Sequence, residues 1–343
     1  KITPFLLMFY HNTNFKGGSV FRGRVTFTPG DDKWVFNGER ELIKDLDKHP
    51  WPRYKDVNWD DHPVRDISIM GSRGCIFKCA FCNDVLRAGY KFRKRSAKHI
   101  AEEMLHHRDV HNVGYIGFND PILNADYRHL NKLCDILIEN NFDRKWGGNF
   151  SIRKNMPEQL MHKAKKAGLH VVVLGLESGS ANVLNLMKKK FDLDEAEWFI
   201  NAIHSSGIVI ELNMVIGFPG ETEDDFQQTL NFITKVAPNV SRIVSVATLN
   251  VDYSYLFYHL DEFDVILKDK DRHISWVTND GENTYEVRCK RAEQLMEHAA
   301  SLGLTHDRYD VDIQRKDGII DIETVKKRRK AARGPQPDRA AAR

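Results

Sequence analysis

Three cysteines fall within eight residues, in the run Gly74-Cys75-Ile76-Phe77-Lys78-Cys79-Ala80-Phe81-Cys82-Asn83. Thiolates are the metal-binding form of cysteine. Three of them on one C-x3-C-x2-C loop can hold three irons of a cubic [4Fe–4S] cluster and leave the fourth iron open to a ligand; a cluster closed by four protein ligands mostly moves electrons. A structural zinc site wants four ligands, usually from two separated pairs. The other cysteines, Cys134 and Cys289, are isolated, so a zinc knot would have to borrow a histidine. Cys134 sits in an apolar helical pattern and reads as core. Five cysteines in 343 residues do not make a disulfide framework.

The spacing resembles the signature of the radical SAM superfamily, and the loops that follow resemble its cobalamin-associated members. The resemblance covers about residues 60–250. It implies that Cys75, Cys79 and Cys82 ligate a [4Fe–4S] cluster. The open iron would chelate the amino and carboxylate groups of S-adenosylmethionine (SAM), which an electron cleaves to a 5′-deoxyadenosyl radical. Phe81, just before the third cysteine, would lie near the adenine; alternatively it fills the core beneath the loop.

Four further loops carry the comparison. Gly117-Phe118-Asn119-Asp120-Pro121 departs from the Gly-Gly-Glu of many members and resembles an acidic variant. An ionised Asp120 could accept hydrogen bonds from the methionyl ammonium, or Asn119 and Asp120 could serve only as turn residues ahead of Pro121. Arg153 could pair with a carboxylate of SAM or substrate, or form a structural ion pair. Gly175-Leu176-Glu177-Ser178-Gly179-Ser180 resembles the family's Gly-hydrophobe-Glu-Ser-Gly segment, which implies that Glu177 and Ser178 meet the ribose hydroxyls or the methionyl part. A glutamate closing an apolar strand is poor core material. Gly217-Phe218-Pro219-Gly220 resembles the turn whose main chain meets the adenine edge; read alone, Gly217 and Pro219 make a tight turn into a capped helix.

Elements must bring these loops to one place. From Ile67 the chain alternates strand and helix: strands near 67–70, 113–118, 146–152, 170–176, 208–216 and 241–249, with helices between them. Six β-α units favour a parallel sheet with right-handed crossovers. Strands this apolar suggest burial on both faces. The expected fold is α/β, a partial (β/α)6 TIM-like barrel with an N-terminal linker segment and a C-terminal helical cover. Barrel chemistry collects on the loops after the strands' C-terminal ends, and the cysteines occupy the first such loop. The expected domains are a linker and hairpin at 1–60, the core at 61–250, a cover at 251–325 and a basic disordered tail at 326–343. Tyr253, Tyr255, Tyr258, Trp276 and Arg288 in the cover are substrate-contact candidates by location, with aromatic packing as the plainer reading.

Composition bounds the rest. The net charge of +3 hides an asymmetry: residues 326–343 hold eight lysines and arginines against Asp338 alone, which leaves the preceding chain at −4. Such a tail could touch nucleic acid or a membrane surface, but its Ala/Pro/Gly/Arg make-up reads as a solvated end, so neither is the expected partner. No apolar run suits a membrane span, and the start lacks the marks of a signal peptide. Free thiols without such a signal suggest a reducing cytoplasm. The resemblance implies a small-molecule or peptide substrate and an electron donor such as flavodoxin or ferredoxin. Cobalamin is expected only if an upstream domain is missing from this chain, whose first residue is Lys1. In that case the parent would be a cobalamin-dependent methyltransferase or cyclase. The competing class is a non-catalytic zinc or nucleic-acid-binding module.

Overall fold

A computed structural model describes residues 23–28, 33–39, 41–62, 64–84, 91–251, 253–268 and 273–306. The basic tail and the end of the expected cover lie outside the described residues. An antiparallel hairpin, β1 (Gly23–Thr28) and β2 (Lys33–Glu39), comes first. The main body is built on β3 (Asp66–Ile69), β6 (Tyr115–Phe118), β7 (Lys145–Phe150), β8 (Leu169–Glu177), β9 (Val209–Ile216) and β10 (Arg242–Thr248). These run parallel in chain order, and a two-residue strand, β13 (Thr305–His306), extends the sheet beyond β10. A short ribbon of β4 (Ser72–Arg73) and β5 (Arg93–Lys94) brackets the cysteine loop.

Helices α1 (Ala97–His111), α2 (Tyr127–Glu139), α3 (Glu158–Lys166), α4 (Ala181–Leu186), α5 (Leu193–Ser205) and α6 (Glu223–Val236) alternate with the strands. Their starts follow from side-chain caps: Ser96, Asp126 and Ser180 each accept an amide hydrogen of the first turn. Asp192 with Glu195, and Thr222 with Asp225, close reciprocal capping boxes. Beyond β10 come α7 (Tyr255–Tyr258), the ribbon β11 (Val265–Leu267) and β12 (Trp276–Thr278), and α8 (Tyr285–Ser301).

The sheet curls into a six-stranded half-barrel. Along β9, Ile210, Leu212, Met214 and Ile216 are buried and share one core with Phe199 of α5 and Phe226 of α6. Burying a side chain of this size contributes about 1.5–3 kcal/mol, and this face carries many. The alternate residues Val209, Glu211, Asn213 and Val215 are only half-buried. Burial on both faces, expected from the sequence, therefore gives way to one sealed face and one concave, partly open face. Across that concavity the charge of Glu211 on β9 acts on Tyr115 of β6, whose phenol burial pushes up to about 12. Among the described residues no helix is long and apolar enough to cross a membrane.

Candidate active site

Parallel pairing puts the C-terminal ends of the strands on one edge, and the cysteine loop leaves the end of β3 there. Two main-chain bonds hold the loop: the Ala80 amide donates to the Met187 carbonyl at 2.9 Å, and the Leu256 amide donates to the Ala80 carbonyl at 2.9 Å. Ala80 belongs to a second core with Val183, Met187, Phe218, Leu256 and Trp276. The loop is thus seated between the turn after α4 and the C-terminal cover. All three cysteines are unbridged and half-exposed. Desolvation raises each thiol, Cys82 to about 12, while the charge of Lys189 draws Cys75 and Cys79 the other way.

Glu177 closes β8 with φ +68, a left-handed conformation unusual for a residue with a side chain and frequent at functional sites. Its Oε1 stands 3.4 Å from Lys189 Nζ, and the two side chains are 12% and 11% exposed. Burial raises the Glu177 carboxyl and the Lys189 charge opposes that rise. The carboxylate folds back over Gly175, where a Cβ would come 2.5 Å from Oε1. Lys189 Nζ also lies 5.9 Å from the centre of the Phe81 ring. Phe81 itself is half-buried against the second core, so the ring both packs and borders the site.

Asp120 is 1% exposed. Its Oδ2 accepts from the Gly71 amide at 2.8 Å, and its Oδ1 accepts from the Ser72 hydroxyl. Burial raises its carboxyl to about 6 against the pull of those donors. Asp120 thereby ties the loop after β6 to the lead-in of the cysteine loop. Arg95 reinforces that lead-in: its amide donates to the Gly71 carbonyl, its guanidinium donates to the Met70 carbonyl, and it pairs with buried Glu103. Asn119 is exposed, its amide bonded to the Ile69 carbonyl at 2.9 Å.

The remaining expected residues divide. Arg153 donates to the carbonyls of Asn124 and Ala125 at 2.9 and 2.8 Å and stacks on Tyr127 at 4.2 Å. It clasps main chain rather than a carboxylate. Ser178 is 1% exposed and its hydroxyl meets Thr229 on α6 at 3.1 Å; it docks a helix and does not join Glu177 in the cleft. Gly217 has φ +79, its amide donates to Glu221 Oε2 at 2.8 Å, and its carbonyl accepts from Asn283 at 3.2 Å. With Pro219 buried beside it, this turn joins the C-terminal cover to the sheet. Trp276 and Arg288 are fully buried. Arg288 stacks on Trp276 at 3.7 Å and donates to the carbonyls of Ile274, Trp276 and Asn283. These two are packing residues, as the plainer reading had it. Tyr255 donates to Glu262 at 2.8 Å and Tyr258 is exposed.

Sequence reasoning missed Lys189. It is the middle of three consecutive lysines, a run with no local signal that would end a helix. The helix stops at Leu186 because Lys188 takes φ +59, and that turn carries Lys189 into the site.

The profile of the Radical SAM superfamily matches residues 69–233. The chain carries a radical SAM core. It is 25% identical over 202 residues to the uncharacterized methyltransferase PH0819 of Pyrococcus horikoshii, covering 57% of this chain and 43% of that protein. It is 24% identical over 223 residues to the anaerobic magnesium-protoporphyrin IX monomethyl ester cyclase of Rubrivivax gelatinosus, covering 63% and 40%. Among solved structures, the radical S-adenosylmethionine methyltransferase TsrM of Kitasatospora setae, with cobalamin and a [4Fe-4S] cluster bound, superposes with a TM-score of 0.55. That match has 12% identity and covers 66% of this chain and 52% of TsrM. The radical SAM core thus spans less than half of either curated relative.

The donor set fits the cluster this family binds. Three unbridged thiols sit on one loop with no fourth cysteine beside them: Cys134 is buried in the helix-side core and Cys289 lies on α8.

Proposed function

We propose that this chain binds a [4Fe–4S] cluster through Cys75, Cys79 and Cys82, binds SAM beside it, and directs reductive SAM cleavage onto a small-molecule or peptide substrate. One observation supports this above others. Three free thiols share a loop at the C-terminal edge of a half-barrel, and the strained Glu177 and its partner Lys189 face that loop. A cluster with one open iron and bound SAM supplies a 5′-deoxyadenosyl radical when reduced. The chain's own part is to bind, orient and exclude water. Lys189 offers a cation for the SAM carboxylate, Glu177 an acceptor for hydroxyl or ammonium groups, and Phe81 a flat apolar face. Asp120 positions the cysteine loop through Gly71 and Ser72. The five unbridged cysteines suit a reducing cytoplasm, with a flavodoxin or ferredoxin as electron source.

The test is anaerobic purification and iron and sulfide analysis, followed by reduction with SAM. The reading expects about four irons per chain and formation of 5′-deoxyadenosine, both lost in Cys75→Ala, Cys79→Ala and Cys82→Ala. Cleavage that persists in these variants, or a single zinc in place of iron, would reject it in favour of the non-catalytic metal-binding module.

A second reading rests on the relatives. Two curated proteins, a methyltransferase and a cyclase, are matched over 43% and 40% of their lengths, and TsrM was solved with cobalamin. We infer that this chain is the radical SAM part of a longer cobalamin-dependent methyltransferase or cyclase. Coding sequence for a flavodoxin-like domain directly upstream would support this, and an in-frame start at this point would oppose it.

A further inference from the structure

The last turn and a half of α1 carries three histidines, His106, His107 and His111. Residues four apart share one helix face, and a pair of histidines at that spacing is a recurrent zinc-binding arrangement. Here one ring nitrogen from each of the three lies within 4.8 Å of the others. His107 is completely buried and His111 is 8% exposed. Both nitrogens of His107 and Nε2 of His111 lack a hydrogen-bond partner. An unsatisfied buried polar atom costs about 1–3 kcal/mol; each neutral imidazole has one lone-pair nitrogen, so these two neighbouring rings can each offer one to a ligand.

The surroundings suit an ion. The linker segment walls the rings with aromatic side chains: Trp51 lies 5.9 Å from His106, Tyr54 5.3 Å from His107 and Trp59 5.5 Å from His111. One turn back, Glu103 Oε1 stands 3.8 Å from His107 Nε2, and Arg95 holds its other oxygen. A carboxylate behind a ligating imidazole fixes the ring and raises its basicity, and this leaves Nδ1 of His107 for the metal.

We propose that His106, His107 and His111 form a site for a borderline divalent transition metal, separate from the cysteine loop. Imidazole nitrogens suit zinc, nickel and copper. Zinc–nitrogen bonds of about 2.0–2.1 Å place tetrahedral ligands roughly 3.4 Å apart, so modest ring rotations seat the three histidines and leave the fourth position to water.

The test uses the full, tag-free chain with its cluster loaded. It is incubated anaerobically with zinc, desalted, and assayed for zinc and iron in the same sample. About one zinc per chain is expected beyond the iron. His106→Gln and His111→Gln each remove a ligand and should weaken zinc binding by at least the roughly 10–100-fold that loss of an outer-shell partner costs, while iron content and circular dichroism stay unchanged. Failure of the folded parent to retain zinc, or equal retention in both variants, overturns the site. His106 is the half-buried position, so His106→Gln carries the test if the His111 variant does not fold. Zinc K-edge absorption decides independently: a nitrogen shell supports the site, and a sulfur-rich shell places the metal on the cysteines and rejects it.

Discussion

The carboxylate of Glu177 and the ammonium of Lys189 meet at 3.4 Å with nearly nine-tenths of each side chain removed from solvent. Twelve residues separate them, and they meet because β8 ends in a left-handed residue while the chain after α4 reverses at Lys188. An ion pair this buried does little for stability as a pair, yet removing one partner strands the other charge.

Lys189→Met should therefore cost about 3–5 kcal/mol at pH 8. Burial already raises the Glu177 carboxyl, and without the lysine it rises further. The destabilisation should be smaller at pH 5 than at pH 8, because a raised carboxyl takes up a proton as the pH falls. Glu177→Gln combined with Lys189→Met should recover most of the loss. Denaturant melts of the parent and both variants at both pH values check this; a loss independent of pH would be the wrong outcome. Because the three thiols are untouched, iron content should hold in Lys189→Met while SAM affinity falls.

Asp120 gives a second pH dependence. Burial pushes its carboxyl up to about 6, whereas an unfolded aspartate titrates at about 3.9. Between those values the native state keeps a proton that the unfolded chain has released. Stability from this group is thus fully present below about pH 4 and is lost as pH rises to about 6, by roughly 3 kcal/mol. Asp120→Asn should flatten that part of the stability curve and retain the cysteine-loop contacts, since an amide can accept from the Gly71 amide and donate to Ser72. Asp120→Ala should lose both contacts and bind iron less tightly. Stability curves from pH 4 to 8 with iron assays distinguish the two.

Much of this arrangement is legible in the sequence, and the failures share a cause. The cysteine loop, the strand–helix alternation and Glu177 announce themselves through local signals: thiol spacing, apolar runs between caps, and an acid at a strand mouth. Ser178 looked like Glu177's partner because they are adjacent. The side chain docks on Thr229 instead, fifty-one residues away, and no local pattern carries that. Nothing in Lys188-Lys189-Lys190 distinguishes the middle lysine until the backbone turns at Lys188. Arg288 lies on a helix with ordinary spacing, and its burial depends on Trp276 and on the turn at Gly217. Strand β13 is two residues long, too short for any periodicity. Apolar strands signal burial, but not that the inner face of a half-barrel stays partly open.

The turn at Gly217 offers the sharpest test of how the cover is attached. Gly217 and Gly281 have nearly the same left-handed φ, +79 and +77. A Cβ on Gly217 would come 2.2 Å from Arg288 Cγ and 2.3 Å from Cδ, whereas one on Gly281 would meet nothing within 4 Å. The Arg288 stem has little room to move, since its guanidinium is held by Ile274, Trp276 and Asn283. Gly281→Ala should cost only the conformational term, about 1–2 kcal/mol. Gly217→Ala should cost that plus about 1–3 kcal/mol of overpacking, and should loosen α8 from the sheet. Thermal melts of both variants, with limited proteolysis of the region after Leu249, check the difference. Equal losses would mean that the cover gives way freely and that Arg288 does not pin it.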